Sequence, residues 1–470
     1  MLAGEYWAKL GTVIFMATPQ NPATPALSAT RAPEVNWLFL DLNSYFASVE
    51  QEVRPELRNR PVAVVPALVD TTFCIAASYE AKARGVKTGT MVKDAKTMCP
   101  EIVLVEGRHE LYSEYHHRIV AAVESCVPVT SVLSVDEMAC RLIGRERPML
   151  AAMEIGRRAK DAIRKQVGST LKCSVGLATN RYLAKVASDM EKPDGLVALT
   201  RDILQDALAT LKLQDLPGVG VKTEKRLNEK GILSMADLMA VLERDHGREA
   251  TGELWGSVWG ERMWHWLRGD DFDLDENEVP KSVGHQHVLA PALRNADGAW
   301  AVAHKLLHKA AMRMRAEKLW VSRIGLSIAF QGKTPVKGST VYGPAKRENW
   351  SAELRLLEVQ DNATLIGALK KLWETRPQGP GYEQPFFLSV TLLDLVPDAL
   401  HTLTLFDAQD GSEERHRLAE TMDALNNKYG LSTLAPATML AALKAAPTRI
   451  AFHSVPELFD HSAKGVSGRL

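Results

Sequence analysis

The apolar run that opens WLFLDLNSYFASVE, residues 37 to 50, stops abruptly at Asp41. A carboxylate at the end of a buried strand is costly unless something pairs with it. A second run, SVLSVDEM at 131 to 138, has the same shape and ends in Asp136 and Glu137. If the two strands are neighbours, three carboxylates meet at one sheet end. Such a cluster repels itself unless cations neutralise it. Hard oxygen ligands with open positions suit Mg²⁺, which keeps water and substrate phosphates in its shell. Two such ions, about 3.5–4 Å apart, stabilise the attacking and leaving oxygens of an in-line phosphoryl displacement. The acids therefore point to two magnesium ions and a nucleoside triphosphate.

The surroundings agree with that chemistry. After Asp41 the chain runs into a helix, and helix N-termini welcome phosphate. FCIAASYEAKARGVKTG carries Tyr79 and Lys82 three apart, on one helical face, and MEKPDG sets Lys192 just before a proline turn. A triphosphate needs a cationic and hydroxyl clamp of this kind.

At 470 residues the chain is too long for one core and suits roughly three or four modules. The formal net charge is zero, so only the distribution of charge informs on partners. Cys74, Cys99, Cys126, Cys140 and Cys173 form no CxxC pair and read as reduced thiols of a cytosolic protein. No apolar run reaches membrane-spanning length, so no membrane partner is expected. LGTVIFMA, near the start, lacks a basic flank and a cleavage site and does not read as a signal peptide. The Pro, Ala and Thr-rich stretch that follows should be disordered.

From 37 to about 200, apolar runs alternate with helical patterns. WLFLD, RPVAVVPAL, FCIAAS, EIVLVEG, VTSVLSV and LKCSVGLA are the candidate strands, and LAAMEIGRRAKDAIRKQVG is a helix with a glycine stop. From 200 to about 268 the pattern is helical, and it contains LPGVGVKTEKRLNEKGI, a helix, Gly-rich hairpin and helix. Its glycines let backbone N–H groups approach a phosphate, a grip without base readout. Four tryptophans, Trp255, Trp259, Trp264 and Trp266, read as a small core. The stretch 270–280 then holds six acids and no base, whereas 281–395 holds 16 Lys/Arg against 9 Asp/Glu. The neutral total hides a basic module. Within it Lys305, Lys309, Arg313 and Arg315 lie on one helix that could face phosphates.

DLNSYFASVE, ASYEAKARGVKTG, SVDEM, SVGLATNRYLAKVASDMEKPDGL, LPGVGVKTEKRL and KSVGHQH, in this order, resemble the Y-family translesion DNA polymerases, the polymerase IV and polymerase V groups above all. The resemblance spans residues 37 to about 395. It implies an α+β multidomain chain with the right-hand polymerase architecture: palm (36–45 and 108–199), small fingers (46–107), a helical thumb with the helix-hairpin-helix (200–267), a linker (268–283) and a C-terminal little finger (284–396). Residues 1–35 would be a disordered extension and 397–470 a tail.

Position by position, the resemblance makes Asp41, Asp136 and Glu137 the catalytic, metal-binding acids, with Leu42 lending a backbone carbonyl to the metal. Phe46 falls at the steric gate that clashes with a ribose 2′-hydroxyl. Tyr79 and Lys192 match triphosphate contacts. Lys82 stands where the family often has Arg, keeping the charge without the bidentate fork. Asn43 replaces an acid of some relatives, with little consequence expected. Gly218, Gly220, Lys222 and Thr223 of the hairpin, with the four bases of the little-finger helix, would grip primer-template DNA. TLTLF, 402–406, resembles a clamp-binding pentapeptide with Thr402 in place of Gln; Leu403, Leu405 and Phe406 would fill a pocket on the sliding clamp, and an ordinary terminal strand is the other reading. The implied activity is addition of deoxynucleotides to a primer end, by a cytoplasmic monomer, with low fidelity and tolerance of damaged templates. Two rivals stay open: an adaptor that ties the clamp to other repair proteins, opposed by the intact acids, and a nucleotide cyclase, opposed by the duplex-gripping parts.

Overall fold

The computed structural model describes residues 33–70, 72–271, 279–330, 348–402, 412–430, 433–443 and 445–446. Along the first part the elements run β1 (Trp37–Leu42), α1 (Tyr45–Val53), β2 (Val62–Val65), β3 (Ala76–Ala77), α2 (Tyr79–Ala83), α3 (Val92–Met98), β4 (Val103–Glu106) and α4 (His109–Glu124). They continue as β5 (Ser131–Val132), β6 (Glu137–Arg141), α5 (Met149–Gln166), β7 (Cys173–Ala178), α6 (Arg181–Met190) and β8 (Leu196–Leu199). β1 sits at the centre of a five-stranded sheet ordered β5-β6-β1-β7-β8. All six β1 residues are buried, as their near-continuous apolar run requires of a strand covered on both faces. α4 and α5 cover one face through Tyr112, Ile119, Ile155 and Ile163. α6 covers the other through Leu183, Val186 and Ala187. Gly176 of β7 makes that second packing possible: a Cβ there would lie 2.0 Å from the carbonyl oxygen of Ala184. β3, β2 and β4 form a separate small sheet inserted after α1.

Five helices follow: α7 (Leu204–Ala209), α8 (Val221–Glu229), α9 (Met235–Leu242), α10 (Gly247–Trp255) and α11 (Val258–Leu267) pack on the α6 side of the first sheet. Trp255 and Trp266 are core, and Trp264 donates to the Leu242 carbonyl at 3.0 Å, as the sequence suggests. Trp259 lies at the edge of this cluster, half exposed beside Arg262 with its ring centre 5.6 Å from that of Trp266. The acidic stretch is tethered at its start. Asp271 pairs with Arg141 at 2.6 Å and accepts from the Trp37 indole at 3.0 Å.

The last part comprises β9 (Ser282–Val288), α12 (Ala296–Ala316), β10 (Leu319–Phe330), β11 (Glu348–Val359), α13 (Asn362–Glu374), β12 (Pro385–Pro397) and α14 (Ser412–Tyr429). Its four-stranded sheet is ordered β11-β10-β12-β9. α12 and α13 cover one face, with Leu306, Ala310, Leu369 and Leu372 in the shared core. The described residues of the tail pack on this domain. α14 and a 3₁₀ turn at Ala437–Ala442 fold back over the outer side of α12 and α13.

Candidate active site

β1 and β6 run antiparallel with Asp41 opposite Glu137, and the Leu42 N–H donates to the Asp136 carbonyl at 2.8 Å. The three acids therefore share one sheet end, but the route differs from the sequence reading. Asp136 and Glu137 do not close a strand. β5 is only Ser131–Val132; the chain turns through Ser134, and Glu137 opens β6. The turn is fixed by the Leu133 N–H on the Glu137 carbonyl at 2.9 Å and by Ser134 Oγ on Asp136 Oδ1 at 2.6 Å. Burial pushes the Asp136 carboxyl above its usual range, Asp41 and Glu137 push further, and the Ser134 bond opposes them.

Two lysines stand among these acids. Lys185 of α6 reaches Asp41 Oδ2 at 2.5 Å, Glu137 Oε1 at 2.7 Å and Asp189 Oδ1 at 3.2 Å. Lys192 reaches Asp41 Oδ2 at 2.8 Å and Asp189 Oδ1 at 2.7 Å. Among the described residues no three His, Cys, Asp or Glu side chains are arranged as a closed metal cage. The donor set nevertheless fits a hard divalent cation: oxygen ligands only, with excess negative charge felt at Asp136.

The nucleotide-side candidates converge on the same place. Tyr79 and Lys82 share α2, with the Lys82 ammonium 4.5 Å from the Tyr79 ring centre. Burial, then Asp41 and Asp189, push the Tyr79 hydroxyl up to about 12. Burial lowers Lys82, and Lys192 lowers it further, so these two cations are neighbours. Ser44, with φ of 51°, begins α1, and its buried Oγ has no protein partner. Phe46 stacks on Tyr112, ring centres 4.4 Å apart, with His109 edge-on. The Tyr112 hydroxyl donates to Glu50 Oε1 at 2.7 Å, and Arg108 and Arg54 also bind Glu50. Burial opposes the Glu50 charge, but these donors together hold its carboxyl below the usual range.

Asn43 matters more than its substitution for an acid suggests. Its Oδ1 accepts from the Asp194 N–H at 2.8 Å and its Nδ2 donates to Ser174 Oγ at 3.2 Å. The amide pins the Lys192 turn to β1, a role with no signal in the local sequence. Asn180 does likewise for α6, capping Leu183 N–H at 2.8 Å and donating to the Trp266 and Asp270 carbonyls.

The hairpin has the expected form. Gly218 holds φ of 86°, Gly220 caps α8, Lys222 is exposed and Thr223 is half-buried, while Leu216, Val219 and Leu227 anchor it below. The basic helix departs from expectation. Lys305 is buried and donates to the carbonyls of Leu443 at 2.6 Å, Ala445 at 2.7 Å and Ala442 at 3.3 Å. Arg315, whose side chain is 5% exposed, binds Asp423 with two bonds and the Gln360 carbonyl with a third. Lys309 reaches the Ala446 carbonyl at 3.4 Å, and Arg313 pairs with Glu317 at 2.7 Å. The folded tail takes up Lys305 and Arg315, so those two do not line an open face. Thr402 is exposed; Leu403, Leu405 and Phe406 lie outside the described residues. Among the described residues no helix is long and apolar enough to cross a membrane.

Residues 40–189 match the impB/mucB/samB family, and 280–405 match the C-terminal domain of that family. The chain is 31% identical to DNA polymerase IV of Moorella thermoacetica over 404 residues, 84% of this chain and 93% of that one. It is 28% identical to DNA polymerase IV 1 of Halalkalibacterium halodurans, over 83% of this chain and 90% of that one. Its fold is similar to that of a Y-family DNA polymerase chimera of Dbh and Dpo4, with a TM-score of 0.61 at 20% identity over 77% of this chain and 99% of that one. The chain belongs to the impB/mucB/samB family of Y-family polymerases and is a DNA-directed DNA polymerase of the translesion class, with the palm, fingers, thumb and little finger of that fold. Divalent-metal dependence and binding of template-primer DNA come with that membership.

Proposed function

We propose that Asp41, Asp136 and Glu137, with the Leu42 carbonyl, hold two magnesium ions beside a primer 3′-end. When bound, these ions supply Lewis-acid stabilisation of charge on the attacking and leaving oxygens of nucleotidyl transfer. The observation that carries the reading is the register that sets Asp41 opposite Glu137, with Asp136 joined to Leu42 beside them.

The chain's own groups then divide the work. Lys192, Lys82 and the Tyr79 hydroxyl approach the acids from the side where a triphosphate would lie. The start of α1, with its unpartnered Ser44 Oγ, offers further donors. Phe46, backed by Tyr112, meets the sugar and disfavours a 2′-hydroxyl. The primer 3′-oxygen attacks the α-phosphate, and pyrophosphate leaves with its negative charge matched by the lysines.

The proposed domains are palm 36–45 and 108–199, fingers 46–107, thumb 200–267 and little finger 284–396. The hairpin at Gly218 and Gly220, with Lys222 and Thr223, would grip the duplex backbone, and Lys309 and Arg313 stay candidates on the basic module. Segment 402–406 is proposed as the clamp contact, in a protein that works as a cytoplasmic monomer. Primer extension by purified protein tests the reading. Incorporation that vanishes in Asp136→Ala supports it; clamp binding without incorporation would make the chain an adaptor, and cyclic nucleotide formation a cyclase.

A further inference from the structure

The polymerase reading gives Lys185 and Asp189 no role, yet both stand inside the acid cluster. Lys185 and Lys192 converge on the same two oxygens, Asp41 Oδ2 and Asp189 Oδ1. Lys185 alone also reaches Glu137, so one ammonium spans the two strand-opposed acids. Its side chain is only 19% exposed, and its ammonium lies 5.4 Å from the centre of the Phe39 ring. A divalent ion would bind its oxygens at about 2.0–2.6 Å. An Asp41 oxygen that already accepts two ammonium groups cannot also serve such an ion without strong like-charge repulsion.

Lys192 has another partner waiting in the proposed mechanism, the triphosphate. Lys185 does not. Its remaining partner is Asp189, one helical turn ahead on α6 and always within reach of a side-chain rotation. Asp189 is more exposed than Asp41, so it can hold an ammonium group at the rim.

We propose that Lys185 is the built-in counter-cation of the metal-free site: it bridges Asp41 and Glu137 until metal loads, and Asp189 receives it when metal enters. Lys185 is thus a positioning residue that keeps the acids folded together before loading and weakens metal binding in the absence of substrate. This rests on the reading of the acids as the metal site.

The test is Mn²⁺ binding to the full chain without DNA or nucleotide, followed by calorimetry and by the electron paramagnetic resonance of free Mn²⁺. Lys185→Met should bind Mn²⁺ about tenfold tighter than wild type, because the competing bridged state is gone. Asp189→Asn should bind it about threefold more weakly, because the displaced lysine has lost its receiver. In chelator the thermal transition of Lys185→Met should fall, and Mn²⁺ should restore it. Asp189→Asn keeps the test decisive if Lys185→Met fails to fold. Wild-type affinity in both variants, with binding lost in Asp41→Asn, would overturn the inference and leave the metal site standing. Binding that Asp41→Asn does not change would overturn both.

Discussion

Phe46 lies face to face on Tyr112, their planes 16° apart and ring centres 4.4 Å apart. Tyr112 is itself fixed at both ends: its carbonyl accepts from the Tyr45 hydroxyl at 2.6 Å, and its hydroxyl donates to Glu50. The gate is therefore a supported ring, not a free one. Phe46→Val should lower the preference for deoxynucleotides over ribonucleotides by roughly tenfold to a hundredfold, the scale of steric discrimination in a pocket. Tyr112→Phe keeps the stack and should leave that preference unchanged, while costing about 1.5–3 kcal/mol of stability for the lost bond to a buried carboxylate. Single-nucleotide incorporation with paired dNTP and rNTP substrates measures both. An unchanged ratio in Phe46→Val would remove Phe46 from the gate.

Glu137 and Asp41 sit opposite each other, so neutralising either one should disable chemistry while sparing the fold. Glu137→Gln and Asp41→Asn are isosteric and should reduce the single-turnover incorporation rate about a thousandfold or more. Affinity for primer-template DNA should stay the same or rise, because a negative charge has gone. Fluorescence anisotropy of labelled duplex separates the two effects. Comparable losses in rate and in affinity would point to unfolding instead.

Much of this site can be read directly from residue order. A strand that ends in an acid needs a partner, and DE at 136–137 supplies one. The missing step was the turn. Ser134 and Val135 reverse the chain, so the apolar run before the acids contributes only Ser131–Val132 to the sheet, and EMACR, with charged ends, forms the longer strand. Polar ends hide a strand from a hydrophobicity pattern. The basic helix is the opposite case. Lys305, Lys309, Arg313 and Arg315 share a helix whose spacing suits an exposed face, but Lys305 and Arg315 are taken up by residues more than a hundred positions away. Local periodicity cannot report a distant segment that folds back. Lys185 sits inside LAKVAS, an ordinary helical stretch; its significance comes from the register of two strands, which sets Asp41 opposite Glu137 within its reach.

His285 of β9 carries the clearest pH signal. Burial depresses its imidazole to about 4, with the Lys309 and Arg313 cations adding to the effect. Burial also lowers His304 and His308. A histidine whose folded-state pKa lies below the unfolded value of 6.5 gains its proton first in the unfolded chain. Its contribution is complete above pH 6.5 and lost as pH falls toward 4. The loss at His285 should be at most about 3 kcal/mol. His285→Gln should flatten the decline. Thermal unfolding at pH 7.5, 6.5 and 5.5 checks the direction, and a wild-type stability that rises on acidification across that range would contradict it.

Arg315 and Asp423 hold the tail to the C-terminal sheet domain. The guanidinium binds both carboxylate oxygens, at 2.6 Å and 2.9 Å, and also the Gln360 carbonyl at 2.6 Å. Both side chains are largely buried, so removing one leaves the other charged and unpaired. Asp423→Ala should therefore cost about 3–5 kcal/mol of local stability, far more than an exposed pair would. The damage should be confined to the tail, because α12 keeps its own core through Leu306, Ala310 and Met314. Faster amide exchange and protease cleavage within 412–446 are expected, while primer extension persists because the first sheet is untouched. Replacing both partners, Arg315→Met with Asp423→Leu, should recover most of the loss, since an apolar pair leaves no buried charge unmet. If the tail of Asp423→Ala stays as protected as wild type, other contacts hold it, chiefly the three carbonyls gathered by Lys305. Lys305→Met would then be the variant that releases it.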